Sequence, residues 1–237
     1  MGHILNTFVA LECWLKNAGV VPVIVSGFKV ASGNADSGVV MGGYIAPVAI
    51  NRSFEWNGNT WSVGNNLNRI GSSMAGAGTS TGALSMGGAP GYRTDVESYT
   101  KSLLNPFTYN AGASTDSWSG GPNMIVARTS NMATGTPSAG ITFGGQCAGG
   151  PGRVTCTEEF DGSAFAAGGV LINANGAAAS AGTQNAALMA GGLVPPAYKN
   201  ITEEYNGSAW SAGNAIITTR GYIASWGGTQ NAAFMAG

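Results

Sequence analysis

The sequence predicts an all-β fold: a five-bladed β-propeller of four-stranded antiparallel blades, closed by N- and C-terminal segments that share one blade. Three observations carry that expectation. An acidic residue, an aromatic, an Asn-Gly or Asp-Gly pair and a second aromatic recur as EWNGNTW (55–61), EEFDGSAF (158–165) and EEYNGSAW (203–210). Double-glycine marks begin at Gly42, Gly87, Gly144 and Gly191, with a last glycine at Gly237, so successive marks stand 45, 57, 47 and 46 residues apart. Glycine makes up 39 of 237 residues, only 9% are charged and 44% are apolar, with six Trp, eight Phe and seven Tyr. Disordered chains lack such aromatics, so this composition points to short strands joined by tight turns.

Within one unit the strands can be read in order. Segments such as GALSMGG (82–88) and NAALMAGG (185–192) are short apolar runs ending in glycine. RSFEWNG (52–58) and ITEEYNG (201–207) alternate polar and apolar residues, as half-buried strands do. Asn57-Gly58, Asp161-Gly162 and Asn206-Gly207 predict two-residue type I′ hairpins, after which the chain reverses into strands carrying Trp61, Phe165 and Trp210. Four antiparallel strands at a period near 46 describe a propeller blade.

The blades are expected at 20–66, 67–122, 123–170 and 171–221, with a fifth built from 222–237 plus 1–19, in one domain spanning 1–237. The longest unit carries an insertion, KSLLNPFTYNAGAST (101–115), before Trp118. In NTFVALECWLKNAG (6–19), Trp14 and Gly19 resemble the second half of a unit. That segment is expected to complete the C-terminal half-blade and so cover strand edges that an open ring would expose.

Glycine-ended apolar strands, Glu-Tyr before a turn, Trp, and then Arg ten residues on (Trp118 and Arg128, Trp210 and Arg220) resemble the kelch repeat. The variant TEEYNGSAW…GTQNAALMAGG is similar to Gly/Ala-rich kelch-like repeats in virion proteins of tailed bacteriophages, notably those of marine or cyanobacterial hosts. The resemblance implies a structural protein of the virion surface, either a capsid decoration or a tail-fibre component, assembled in the host cytoplasm. It also implies an oligomeric setting among other virion proteins, with a host-surface glycan as the ligand of an alternative, lectin-like role.

The residues offer little chemistry. His3 is the lone histidine, so a Ser-His-Asp triad or a histidine-rich metal centre has few candidates. Glu55, Glu97, Glu159 and Glu204 recur with the repeat, which fits a structural hydrogen bond or an ion pair with the repeat arginine better than acid–base catalysis, since catalytic carboxylates need unlike surroundings. The double glycines suit close backbone packing or positive φ, and no phosphate-loop motif is present. No catalytic residue, metal ligand or cofactor is therefore expected, and the chain is read as non-enzymatic. Net charge is −1 with scattered Lys and Arg, which gives no footprint for nucleic acid. No apolar stretch reaches the roughly 18 residues of a membrane-spanning helix, and no secretion signal is recognised. Cys147 and Cys156 bracket a Gly/Pro-rich loop, where a disulfide and free thiols remain alternatives.

Residues that break the repeat are the candidates for contact, because loops on a rigid scaffold carry recognition. These are Phe107 and Tyr109 in the insertion, and Tyr198 in the loop Leu193–Asn200 with Pro195 and Pro196.

Overall fold

A computed structural model of the chain describes residues 30–236, apart from 34–36, 46, 80, 102–116, 149 and 151. Every regular element among them is a β-strand. Four antiparallel sheets of four strands follow one another along the chain. Sheet 1 is Val30–Gly33, Gly38–Met41, Ser53–Trp56 and Trp61–Val63; sheet 2 is Ala75–Gly78, Gly82–Met86, Val96–Thr100 and Ser117–Gly120. Sheet 3 is Met132–Thr136, Ala139–Phe143, Thr157–Phe160 and Phe165–Ala167; sheet 4 is Ala179–Thr183, Ala186–Ala190, Thr202–Tyr205 and Trp210–Ala212. A hairpin of Ala224–Thr229 and Ala232–Ala236 comes next, as sheet 5. The N-terminal segment with Cys13 and Trp14, expected from the sequence to join this hairpin, lies outside the described residues, as do His3, Phe107 and Tyr109.

Each sheet is a simple meander, and the sheets stack face to face through their first strands. Val30–Gly33 neighbours Ala75–Gly78, which neighbours Met132–Thr136, then Ala179–Thr183, then Ala224–Thr229, and this last strand also lies beside Val30–Gly33. Small side chains make such crowding possible. Ala75, Ala77, Ala133, Ala179 and Ala181 on the first strands are all buried.

Apolar clusters fill the spaces between sheets. Val39, Met41, Leu67 and Met74 meet Ala83, Tyr99 and Trp118 between sheets 1 and 2. Leu84, Met86, Val96 and Met124 meet Ala133 and Phe160 between sheets 2 and 3. Ile141, Phe143 and Leu171 meet Met189, Tyr205 and Trp210 between sheets 3 and 4. The repeat aromatics face one another across the third and fourth strands, in the pairs Trp56–Trp61, Tyr99–Trp118, Phe160–Phe165 and Tyr205–Trp210, with ring centroids 4.7–5.4 Å apart. Trp118 and Trp210 are buried, in keeping with a packing role.

The hairpins between third and fourth strands of sheets 1, 3 and 4 are not type I′, which needs positive φ at both central residues. Only the glycines Gly58, Gly162 and Gly207 take positive φ there. The preceding Asn57, Asp161 and Asn206 instead stand at the first turn position, where each Oδ1 accepts two backbone N–H bonds from residues two and three further on. The side chain takes over a bond the backbone would otherwise make, so glycine is needed at one position only.

Glutamines in the turns between first and second strands join successive sheets. Gln184 Nε2 donates to Gly140 O (3.0 Å) and Phe160 O (2.9 Å) of sheet 3. Gln230 repeats the contact on Ala187 O and Tyr205 O of sheet 4, at 3.0 and 2.8 Å.

The recurring glutamates form two classes rather than one. Glu97 does not share a position with Glu55, Glu159 and Glu204: it stands two residues before its strand's aromatic, Tyr99, whereas they stand one before theirs. Its counterparts are Glu158 and Glu203, and all three are buried. Each accepts two successive backbone N–H groups from the preceding sheet's outgoing connection: Asn68 and Arg69 on Glu97, Ile125 and Val126 on Glu158, Ile172 and Asn173 on Glu203. Neighbours on a strand point to opposite faces, so the second class reaches elsewhere. Glu55 accepts from the Tyr99 hydroxyl and the Lys101 ammonium, and Glu159 from the Tyr205 hydroxyl.

Burial, and then the bond to Glu159, push the Tyr205 phenol above its ordinary 10.0. A raised value in the folded state means that the contribution of this group to stability is full below about pH 10 and is lost as pH rises through the folded value. The alkaline loss of thermal stability between about pH 9 and 11 is expected to be shallower in Tyr205→Phe than in the parent, as read by circular dichroism melts.

Candidate binding face

Strands alternate in direction, so in every sheet the loop from second to third strand and the connection leaving the fourth strand lie at the same end. Short bridges tie the two together: Ile50 to Gly71, Arg93 to Arg128, Val154 to Asn175 and Lys199 to Arg220. The same end of successive sheets is aligned by a relay of backbone bonds at the entry to the first strands. Tyr222 N donates to Ala177 O (2.8 Å), Ala177 N to Ser130 O (2.9 Å) and Ser130 N to Ser73 O (3.1 Å). These four residues all take positive φ, unusual for side chains other than Gly, Asn and Asp, and their repetition marks a conformation imposed by the stacking.

The double glycines place the loops of this face. Both members of each pair have positive φ. The second glycine of each donates to the facing connection: Gly43 to Gly71 O, Gly88 to Arg128 O, Gly145 to Asn175 O and Gly192 to Arg220 O, at 2.7–3.0 Å. Beyond the glycine pairs the loops diverge from sheet to sheet, and so do their exposed side chains. Tyr44, Ile45 and Val48 project from sheet 1, Tyr92 from sheet 2, Tyr198 from sheet 4 and Tyr222 from the connection into the last hairpin. Tyr198, singled out from the sequence, is thus one of several exposed tyrosines at one end of the molecule.

All six arginines and Lys199 fall on these loops and connections. Arg69, Arg93 and Arg128 form ion pairs. Arg128 is fully buried; it pairs with Glu158 and donates to Gly144 O (3.2 Å) and Cys156 O (3.0 Å). Arg69 pairs with Glu97 at 3.2 Å, and Arg93 with Asp95 at 3.0 Å. The repeat arginine Arg128 thus pairs with Glu158, the neighbour of the Glu159 singled out from the sequence, which instead accepts from Tyr205. Burial lowers the Arg69 guanidinium below its ordinary value, against the opposing charge of Glu97. Among the described residues, Arg52, Arg153 and Lys199 take part in no ion pair.

Cys147 and Cys156 are half-buried free thiols on the same loop of sheet 3, and burial pushes the Cys156 thiol up. Among the described residues no group of three or more His, Cys, Asp or Glu could hold a metal ion. No helix among them is long and apolar enough to cross a membrane.

No family model and no curated protein matches the chain. Solved structures do match it in fold. One, described as the structure of YjhT, superposes with a TM-score of 0.64 over 87% of this chain and 70% of that chain, at 12% sequence identity. The chain is thus similar to YjhT in its all-β fold.

Proposed function

We propose that this chain is a non-enzymatic structural and interaction protein of a bacteriophage virion, a capsid decoration or tail-fibre component that uses a five-bladed kelch-like propeller as a rigid platform. The propeller reading is supported by the unbroken sequence of first-strand neighbours that returns from Ala224–Thr229 to Val30–Gly33. The virion reading is supported by the phage-like repeat and by a surface with few charges, suited to burial in an assembly. One observation carries the platform role: tyrosines exposed on the loops of sheets 1, 2 and 4 and on the connection into the last hairpin, at one end of a tightly tied scaffold.

The test is to probe purified phage particles from a lysate that encodes this chain by mass spectrometry and by antibody labelling in electron micrographs. The expected result is a signal co-purifying with particles at a fixed stoichiometry. A chain recovered only from the soluble fraction, monomeric by size-exclusion chromatography, would overturn the proposal.

A second reading is a lectin-like receptor-binding module. It is favoured by exposed tyrosines recurring in several sheets, since sugar rings stack on aromatic faces. Binding on a glycan array is its test, and an array without signal counts against it.

A further inference from the structure

We infer that the stretch of this face formed by Arg153, Tyr198 and Tyr222 is a binding site for an acidic saccharide, one bearing carboxylate or sulfate groups. The inference rests on the lectin-like reading and adds to it the place and the charge of the ligand.

The three side chains come from different sheets and are brought together by one device used twice. Arg153 lies flat on Gly176, where a Cβ would meet its Cδ, Nε and Cζ at 2.9, 3.0 and 3.1 Å. The Tyr198 ring in turn meets Gly221, where a Cβ would stand 2.7 Å from its Cδ1. Glycine at these two positions lets a planar group rest on the backbone of the next connection. Arg153 Nε donates to Leu193 O at 3.0 Å, Leu193 is the cross-strand partner of Tyr198, and Gly221 precedes Tyr222. The guanidinium and the two rings therefore occupy one continuous stretch, with Tyr198 43% and Tyr222 42% exposed.

Charge decides the class of ligand. Asp95 is the sole acidic residue on the described loops and connections of this end, and it pairs with Arg93. The carboxylates of Glu97 and Glu158 answer Arg69 and Arg128 from within. Arg153 and Lys199 have no such counter-charge among the described residues, and Arg153, half-buried, keeps its Nη1 shielded from solvent with no hydrogen-bond partner. A guanidinium with a donor to spare suits an oxyanion, and tyrosine faces beside it suit a sugar ring. An acidic polypeptide offers the charge without the ring, and a neutral glycan the ring without the charge.

Affinity electrophoresis of the full chain in gels containing alginate, dextran sulfate, neutral dextran or poly-L-glutamate separates these cases. Retardation by alginate and dextran sulfate is expected, with none by dextran or polyglutamate. Raising NaCl from about 50 mM to about 300 mM should weaken it about tenfold. Arg153→Gln and Tyr198→Ala should each weaken it about tenfold or more in chains that still unfold cooperatively well above the gel temperature, while Asn59→Ala at the opposite end leaves it unaltered. Polyglutamate binding as strong as alginate binding overturns the saccharide assignment. Salt-independent retardation, or retardation by dextran as strong as by alginate, overturns the charge assignment and leaves the lectin-like reading intact. Retardation by no polysaccharide overturns both.

Discussion

Glu158→Ala is expected to lower the stability of the chain by about 3–5 kcal/mol, among the largest effects of any single substitution. The side chain neutralises Arg128, whose guanidinium is wholly shielded from solvent, and it also accepts the N–H groups of Ile125 and Val126. Alanine would leave a buried cation with only the carbonyls of Val126, Gly144 and Cys156, and two amides with no acceptor. Urea unfolding followed by tryptophan fluorescence checks this. A double-mutant cycle with Arg128→Ala should give a coupling of about 1.5–3 kcal/mol, because the second deletion removes the stranded charge. The double variant should still fall short of the parent, since the amides of Ile125 and Val126 stay unpaired. Glu204→Ala, on an exposed position of the corresponding strand in sheet 4, is expected to stay within about 0.5 kcal/mol. Equal losses at Glu158 and Glu204 would remove the distinction between two glutamate classes.

Gly88→Ala is expected to cost about 3 kcal/mol or more, measured in the same way. The residue has φ +104°, beyond the left-handed region that Asn and Asp visit, so any Cβ is strained there. A Cβ would also sit 2.6 Å from Ser72 O and 2.5 Å from Met74 Cγ. The methionine can shift, but the carbonyl cannot, because it belongs to the tie between the loop of sheet 2 and the connection from sheet 1. Ser72 and Ala89 exchange backbone bonds there, at 2.8 and 3.0 Å. The local cost is thus joined by weakening of the contact that sets the sheet-to-sheet angle. Gly91→Ala, on the same loop, tests the separation of the two effects. It has positive φ (+76°) but nothing within 4 Å of a Cβ, so it should lose about 1–2 kcal/mol from strain alone.

Much of this architecture is legible in the order of residues. Strands alternate or run apolar at the positions where sheets 1 to 4 place them, because side-chain direction along a strand has a period of two and needs no knowledge of the rest of the chain. The spacing of Trp118 and Arg128, like that of Trp210 and Arg220, reflects a connection of constant length between fourth and first strands. The double glycines follow from a backbone that must turn with positive φ beside another backbone.

Other features are not legible in that way. Adjacent glutamates in EEF and EEY look equivalent along the chain, yet alternation sends one into the next sheet's contacts and its neighbour toward the preceding connection, so spacing alone groups Glu97 with the wrong partners. The hairpin type depends on whether Asn57 uses its backbone or its side chain as acceptor, a competition settled by geometry within the turn. The convergence of Arg153, Tyr198 and Tyr222 leaves no repeat signal, because Arg153 and Tyr198 hold corresponding positions with different residue types and Tyr222 stands at another position, that of Ala177.

By itself, then, the sequence determined that this is an all-β chain of repeated antiparallel units with small residues where strands crowd, since those are properties of local backbone preference and burial period. Only the tertiary structure decided which buried glutamate serves which connection, and that the arginines gather with the exposed tyrosines at one end. Those outcomes depend on how one sheet is stacked on the next, and stacking places side by side residues that the chain itself keeps a whole repeat apart.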